Sequence, residues 1–226
     1  MRRPADPSRV AIIDDHDLFA ESLDLALAMQ GYEVHRLPVP ESPGRAQDLL
    51  DAVHSTAPGI VLLDLDLGPF GSGIDLVAPL VQREAAVLVV TAETDRATWG
   101  ACLARGAARV LAKSSPLREI SVAVRRLAQG LPVLAPEERQ QLIEEWQRRE
   151  RELHQLLARF RALTAREQEV LTQLALGRTV REIAHLSVVS EATVRTQVRS
   201  ILAKLGVSSQ LAAVGLAHQL GWSRDR

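Results

Sequence analysis

Four short apolar runs in the first half of this 226-residue chain each end in a residue suited to handling a phosphoryl group. Residues 10–13 lead into Asp14 and Asp15, residues 60–63 into Asp64, residues 87–90 into Thr91, and residues 110–112 into Lys113. Runs of this length read as buried parallel strands, and open α/β sheets build their sites at the carboxyl ends of such strands. Three carboxylates, a hydroxyl and an ammonium, far apart in sequence, therefore converge on one cleft. Crowded carboxylates repel unless a hard cation with oxygen ligands sits among them, and Mg²⁺ is the usual choice. A carboxylate attacking a phosphoryl donor needs its own charge and the phosphoryl charge offset together, which a cation and Lys113 can do.

The intervening segments supply the helices that such a sheet requires. Leu18, Leu23, Leu25, Leu27 and Met29 mark a helix that ends at Gly31. Residues 46–53, 74–81 and 97–105 mark three more, and a fifth starts at Pro116, read as a first-turn proline, and runs to Gly130. The expected fold over residues 1–130 is an α/β doubly wound, five-stranded parallel sheet.

Residues 131–160 form the expected helical linker. After Pro132 and Pro136 break the chain, residues 137–161 contain neither Gly nor Pro. Leu142, Trp146, Leu153, Leu156 and Phe160 follow spacings of four and three, with Arg149 in the slot that fails. Two readings fit: a coiled-coil seam that holds a homodimer, or one amphipathic helix lying on its own domains.

Residues 161–226 carry an all-α pattern with two capping boxes, Thr164 with Glu167 and Thr179 with Glu182. A third helix opens near Ser190. On it Val194, Val198, Ile201, Leu202 and Leu205 segregate to one face, leaving Arg195, Thr196, Arg199 and Lys204 outward. Two short helices joined by a tight turn are a helix-turn-helix pattern. Outward Arg side chains can pair with guanine edges or neutralise phosphates.

The first half resembles a response-regulator receiver domain, including Asp14-Asp15-His16 after the first run. The resemblance implies that Asp64 accepts the phosphoryl group from a sensor histidine kinase. Asp15 would ligate Mg²⁺ directly, Asp14 largely through water, and the main-chain carbonyl of Asp66 would complete the protein ligands. Thr91 would hydrogen-bond the phosphoryl group and Lys113 would pair with it. The last third resembles the LuxR-type helix-turn-helix of the NarL/FixJ family through residues 163–167, 181–184, 189–196 and 201–207. That places Arg195, Thr196 and Arg199 against base edges, with Thr179, Arg181, Thr193, Lys204 and Ser208 as further contacts to double-stranded DNA. The final helix, residues 210–220, carries a dimer contact in this family, which nominates Val214, Ala217 and His218. A dimer implies two half-sites related by a twofold axis.

Several positions depart from the pattern. Gly68 stands where proline is frequent, Val110 where an aromatic residue follows the hydroxyl of the fourth strand, Ser187 where leucine is frequent, and Gln197 where histidine is frequent. Asp66 and Glu93, each two residues beyond a site residue, are placed to influence hydrolytic water.

Charge supports the division. Residues 1–116 sum to −6, residues 117–160 to +1 and residues 161–226 to +4, within a chain whose net charge is −1. An acidic front suits a cation and a basic tail suits a polyanion. The single cysteine, Cys102, fits a small buried hydrophobe in a reducing cytoplasm. The opening residues show no signal-peptide core, and no apolar stretch approaches a membrane span. The functional expectation is a cytoplasmic, phosphorylation-controlled transcription regulator. Two alternatives stand: the same architecture acting without phosphorylation, and a phosphatase built on Asp64-Leu65-Asp66.

Overall fold

The computed structural model describes residues 6–39 and 46–222. The opening residues 1–5, read above for targeting signals, lie outside the described residues. The chain divides after Arg149 into two compact units.

The first unit contains a five-stranded parallel sheet in the order β2-β1-β3-β4-β5. Its strands are β1 (Asp6–Ile13), β2 (Glu33–Arg36), β3 (Pro58–Leu63), β4 (Ala86–Thr91) and β5 (Arg109–Ala112). Between them run α1 (Asp17–Ala28), α2 (Ala46–Thr56), α3 (Ile74–Val81) and α4 (Arg96–Ala104), and α5 (Leu117–Ala128) follows β5. The alternation of side chains along a strand explains why the runs are apolar throughout. Val10, Ile12, Ile60, Leu62, Leu88 and Val90 face Leu23, Leu27, Ile120 and Val124 of α1 and α5. Ala11, Ile13, Val61, Leu63, Val87 and Val89 face the residues of α2, α3 and α4. Cys102 belongs to that second layer, where burial pushes its thiol pKa up to about 11, so it behaves as a hydrophobe. Pro116 differs from its expected place: with φ −54 and ψ 135 it precedes α5 as the cap residue.

Helix α6 (Pro136–Arg161) is shared by the two units. Pro136, read above as a break, is its first residue, where a missing N–H costs nothing. In the first unit Leu142 is buried in the core beside α4, with Ile143 packed near it. Arg139 donates to the carbonyls of Leu103 and Ala107, at 2.8 and 2.9 Å, and so satisfies the end of α4. Arg149, the failing slot of the heptad, reaches Asp95 at 2.7 Å, and Glu145 pairs with Arg96 at 3.1 Å. In the second unit Phe160 is buried and lies 5.2 Å from the Trp222 ring, with Leu156 half-buried nearby. The coiled-coil assignment of Leu142 and Phe160 is thus corrected. A stripe of period 3.5 is what any helix needs to pack on a neighbour, and here the neighbours are the chain's own. Leu153 stays exposed and Trp146 half-buried.

The second unit adds α7 (Ala165–Ala175), α8 (Val180–Leu186), α9 (Glu191–Leu205) and α10 (Gln210–Gln219) around one core. Both capping boxes form, and Ser190 caps α9 by accepting from Thr193 N–H at 3.1 Å. Gly206 ends α9 in the left-handed region at φ 72, and Arg159 donates to the Leu205 carbonyl there at 3.2 Å. The turn between α8 and α9 holds Val188 at φ 53, where a β-branched residue is strained by roughly 1–2 kcal/mol.

Gly100, inside α4, has a specific consequence. A Cβ there would lie 2.0 Å from the Leu142 carbonyl oxygen and 2.8 Å from Trp146 Cβ, so glycine lets the α6 backbone touch α4. A helix-interior Gly→Ala change ordinarily stabilises by about 1 kcal/mol. Here Gly100→Ala is expected to destabilise by about 2 kcal/mol through overpacking. Urea unfolding followed by tryptophan fluorescence checks the sign, and stabilisation would refute the close packing.

Candidate functional site

The sheet order places β1 between β2 and β3, so the chain reverses direction across the sheet at β1 and β3, where open α/β sheets bind ligands. Asp14, Asp64, Thr91 and Lys113 each stand at the carboxyl end of a different strand or just beyond it. Asp64 is 2% exposed, yet its carboxylate is fully engaged. Its Oδ1 accepts from Leu65 N–H at 2.7 Å and Asp66 N–H at 3.3 Å, and its Oδ2 lies 2.6 Å from Lys113 Nζ. The same ammonium donates to Asp14 Oδ1 at 2.8 Å and stands 5.1 Å from the Phe19 ring centre. Burial lowers the Lys113 pKa, but hydrogen bonds to Asp14 and Asp64 outweigh it and raise the group above its ordinary value. For Asp14, burial wins over Lys113 and raises the carboxyl. One ammonium therefore serves two carboxylates, Asp14 and Asp64, with Asp15 adjacent, and the surplus negative charge favours a cation.

Among the described residues, Asp14, Asp15, His16 and Asp64 form a cluster whose candidate ligand atoms all lie within 4.8 Å of one another. Hard carboxylate oxygens dominate it, which fits Mg²⁺. His16 was not singled out by its type. Its Nδ1 lies 2.7 Å from Asp15 Oδ1 and 3.2 Å from Lys113 Nζ, and its backbone N–H donates to Asp14 Oδ1 at 2.8 Å. Gly68 borders the cluster. It holds φ 55, which proline cannot adopt, and a Cβ there would lie 2.8 Å from Asp15 Oδ2. That accounts for glycine at this departure from the pattern.

Thr91 is buried, and its Oγ1 accepts from Glu93 N–H at 3.1 Å. A cleft of about 480 Å³ lined by Leu65, Asp66, Thr91, Glu93 and Thr98 opens beside it. The Glu93 carboxylate turns back to accept from Thr94 and Asp95 N–H, both at 2.8 Å, and Asp66 Oδ1 accepts from Gly68 N–H at 3.2 Å. Both acids expected to influence water are thus organising their own loops. Asp66 also forms an isolated bridge with Ser72.

On the second unit, Arg181, Arg195, Thr196, Arg199 and Ser208 are exposed. Arg195 pairs within α9 with Glu191 at 3.2 Å, and among the described residues no carboxylate pairs with Arg181 or Arg199. The hydroxyls of Thr179 and Thr193 are used in caps, bonding Glu182 Oε2 at 2.8 Å and Ser190 Oγ at 2.9 Å. Lys204 requires correction as an outward phosphate contact: its ammonium donates to the buried Glu167 at 2.7 Å. Ala217, nominated for a dimer contact, is fully buried, whereas Val214 is half-buried and His218 exposed. An apolar helix face that packs inward and one that packs on a partner share the same spacing, which is why sequence did not separate them.

Residues 10–125 match the family described as "Response regulator receiver domain", and residues 161–217 match "Bacterial regulatory proteins, luxR family". The chain belongs to the response regulators that join a receiver domain to a LuxR-type DNA-binding domain. It is 33% identical over 210 residues to the probable transcriptional regulatory protein NarL of Mycobacterium tuberculosis, covering 92% of this chain and 93% of that protein. It is 32% identical over 220 residues to the nitrate/nitrite response regulator protein NarP of Escherichia coli, covering 95% and 96%. Among solved structures it is similar to the RcsB response regulator of Salmonella typhimurium, at 22% identity and TM-score 0.48 over 97% and 100% of the two chains.

Glu167 is the functional residue that sequence reading undervalued. Beyond its capping role it accepts from Ser200 Oγ at 2.6 Å and Lys204 Nζ at 2.7 Å, clamping α9 to the start of α7. Burial would raise its pKa, but Lys204, Ser200 and Thr164 outweigh burial and hold it down to about 2, against an ordinary 4.5. A depressed carboxyl contributes stability that is present above 4.5 and lost as pH falls toward 2. Glu167→Gln is therefore expected to cost about 2 kcal/mol at pH 7, since one partner of a buried pair is removed. In denaturant unfolding, the gap between wild type and variant should close as pH drops through that window. A gap independent of pH would contradict the clamp.

Proposed function

We propose that Asp64 is the phosphoacceptor of a two-component pathway and that its phosphorylation by a sensor histidine kinase in the cytoplasm controls DNA binding by α9. The observation that carries this reading is Lys113 Nζ, shared between Asp64 at 2.6 Å and Asp14 at 2.8 Å at the end of the sheet. In the reaction an Asp64 carboxylate oxygen bonds to phosphorus as the bond to the donor's histidine nitrogen breaks, and the leaving imidazole takes up a proton. Lys113 offsets the negative charge that arrives, and the Thr91 hydroxyl donates to a phosphoryl oxygen. Asp14, Asp15, Asp64 and the Asp66 carbonyl are the groups that would hold Mg²⁺, which, when bound, offsets carboxylate repulsion and phosphoryl charge. The protein acts as an acceptor that returns to its resting state by slow hydrolysis, not as a dedicated enzyme.

The output is sequence-specific binding to duplex DNA as a homodimer on twofold-related half-sites. Arg195, Thr196 and Arg199 read base edges from α9, while Arg181, Ser208, Thr179 at the cap of α8 and Thr193 in the first turn of α9 meet phosphates.

Incubation with acetyl phosphate, followed by intact mass, tests the input. One Mg²⁺-dependent phosphoryl adduct is expected, absent in Asp64→Asn; no adduct would shift the reading to a regulator that works without phosphorylation. For the output, Arg199→Ala and Arg195→Ala should each weaken binding to the operator by roughly tenfold or more and relax base preference, as loss of a base contact does. Equal weakening on every duplex sequence would demote them to phosphate contacts.

A further inference from the structure

Val110 is buried between the strand and its neighbours and carries no polar atom, so it cannot follow the Thr91 hydroxyl outward as an aromatic residue with a polar tip could. The segment 91–100 offers another path, built of consecutive hydrogen bonds. Glu93 N–H donates to Thr91 Oγ1, and the Glu93 carbonyl accepts from the Trp99 indole Nε1 at 2.9 Å. The Glu93 carboxylate holds the N–H groups of Thr94 and Asp95. Asp95 in turn caps α4 by accepting from Thr98 N–H at 3.3 Å, and its other oxygen takes Arg149 of α6. The residue after Trp99 is Gly100, where the backbone of α6 lies directly against α4.

We propose that Trp99 is a positioning residue that carries the state of the Asp64 site to α6, so that capture of the Thr91 hydroxyl by a phosphoryl group loosens the seat of α6 on α4. This rests on the phosphoacceptor reading above and names its outward route. When Thr91 turns to donate to a phosphoryl oxygen, the Glu93 N–H bonded to it must follow. Trp99 transmits that displacement because its indole is tied to the Glu93 carbonyl while its ring packs on the core. Where a Cβ would already lie 2.0 Å from the facing carbonyl, no soft layer remains to absorb a shift of a few tenths of an ångström. The ion pairs Arg96–Glu145 and Asp95–Arg149 are exposed and weak enough to exchange. A packed contact of this kind converts a small displacement into a change of seating.

The test uses the full chain with acetyl phosphate and Mg²⁺, reading the adduct by intact mass and amide exchange in residues 136–149 in parallel. Wild type should show the adduct together with exchange accelerated roughly fivefold in that segment, as expected of local opening. Trp99→Phe keeps the ring body and removes the N–H donor. It should form the adduct to the same extent while its exchange response falls below about twofold. Arg149→Ala, altered only at an exposed pair, should raise exchange in 136–149 before any phosphoryl donor is added. An adduct in wild type without a change in 136–149, or a Trp99→Phe response equal to that of wild type, overturns the coupling. An unchanged resting exchange in Arg149→Ala does the same. Failure of wild type to form the adduct overturns the phosphoacceptor reading instead, and the coupling with it.

Discussion

The receiver half is organised around an imbalance of charge at one end of its sheet. Asp14, Asp15 and Asp64 face a single ammonium, and Lys113 divides its donors between Asp14 and Asp64. Such an arrangement is tolerable only because it is not closed. Asp15 remains 26% exposed in its side chain, and the cluster is open to a cation. The apolar sheet is what enforces the crowding, since the runs at residues 10–13, 60–63 and 87–90 are buried on both faces and hand over to a polar site residue at their carboxyl ends. Had any strand been displaced by one residue, its apolar set would have changed faces and its terminal polar group would have left the cleft.

The DNA-binding half solves a similar problem with the opposite outcome. Its helices are short, and short helices have little intrinsic stability, so their ends must be satisfied locally. Thr164, Thr179 and Ser190 do this at three amino termini, and Gly206 with Arg159 does it at the end of α9. Glu167 then uses the acceptor capacity left over from its cap to hold Ser200 and Lys204. Here the buried carboxylate is partnered by a cap, a hydroxyl and an ammonium that belong to one helical core, whereas Asp64 shares its ammonium with a second carboxylate, Asp14.

The four site-bearing strands were legible in the sequence because continuous apolar runs have few alternatives, and the capping boxes because their spacing is rigid; β2, an edge strand of sequence Glu-Val-His-Arg, carries no such run and was not located. Periodicity could not tell which surface a stripe meets. The stripe in α6 and the apolar positions of α10 identified faces correctly but not their partners, so Leu142, Phe160 and Ala217 proved to be core. Lys204 failed for a related reason, because an outward position on one helix can face a neighbouring helix. Gly100 did leave a signal, as a glycine inside a helical pattern suggests close approach of another backbone. Trp99 left none, since its use of Glu93 depends on a carbonyl direction that only the folded loop defines.

The departures from the family pattern make physical sense together. Gly68 allows a backbone conformation that brings its loop against Asp15, and Val110 gives up a side chain able to move with Thr91. What replaces that mobility is rigidity along another line, from Thr91 through Glu93 to Trp99 and Asp95. Rigid contact transmits displacement only if its far end is poorly cushioned, which the bare backbone contact at Gly100 ensures. It also needs a receiving element that belongs to more than one core. α6 satisfies this condition, for Leu142 anchors it in the receiver's core and Phe160 in the core of the DNA-binding unit. Because Leu142 and Phe160 are spent in these two cores, one helix is answerable to both halves of the molecule.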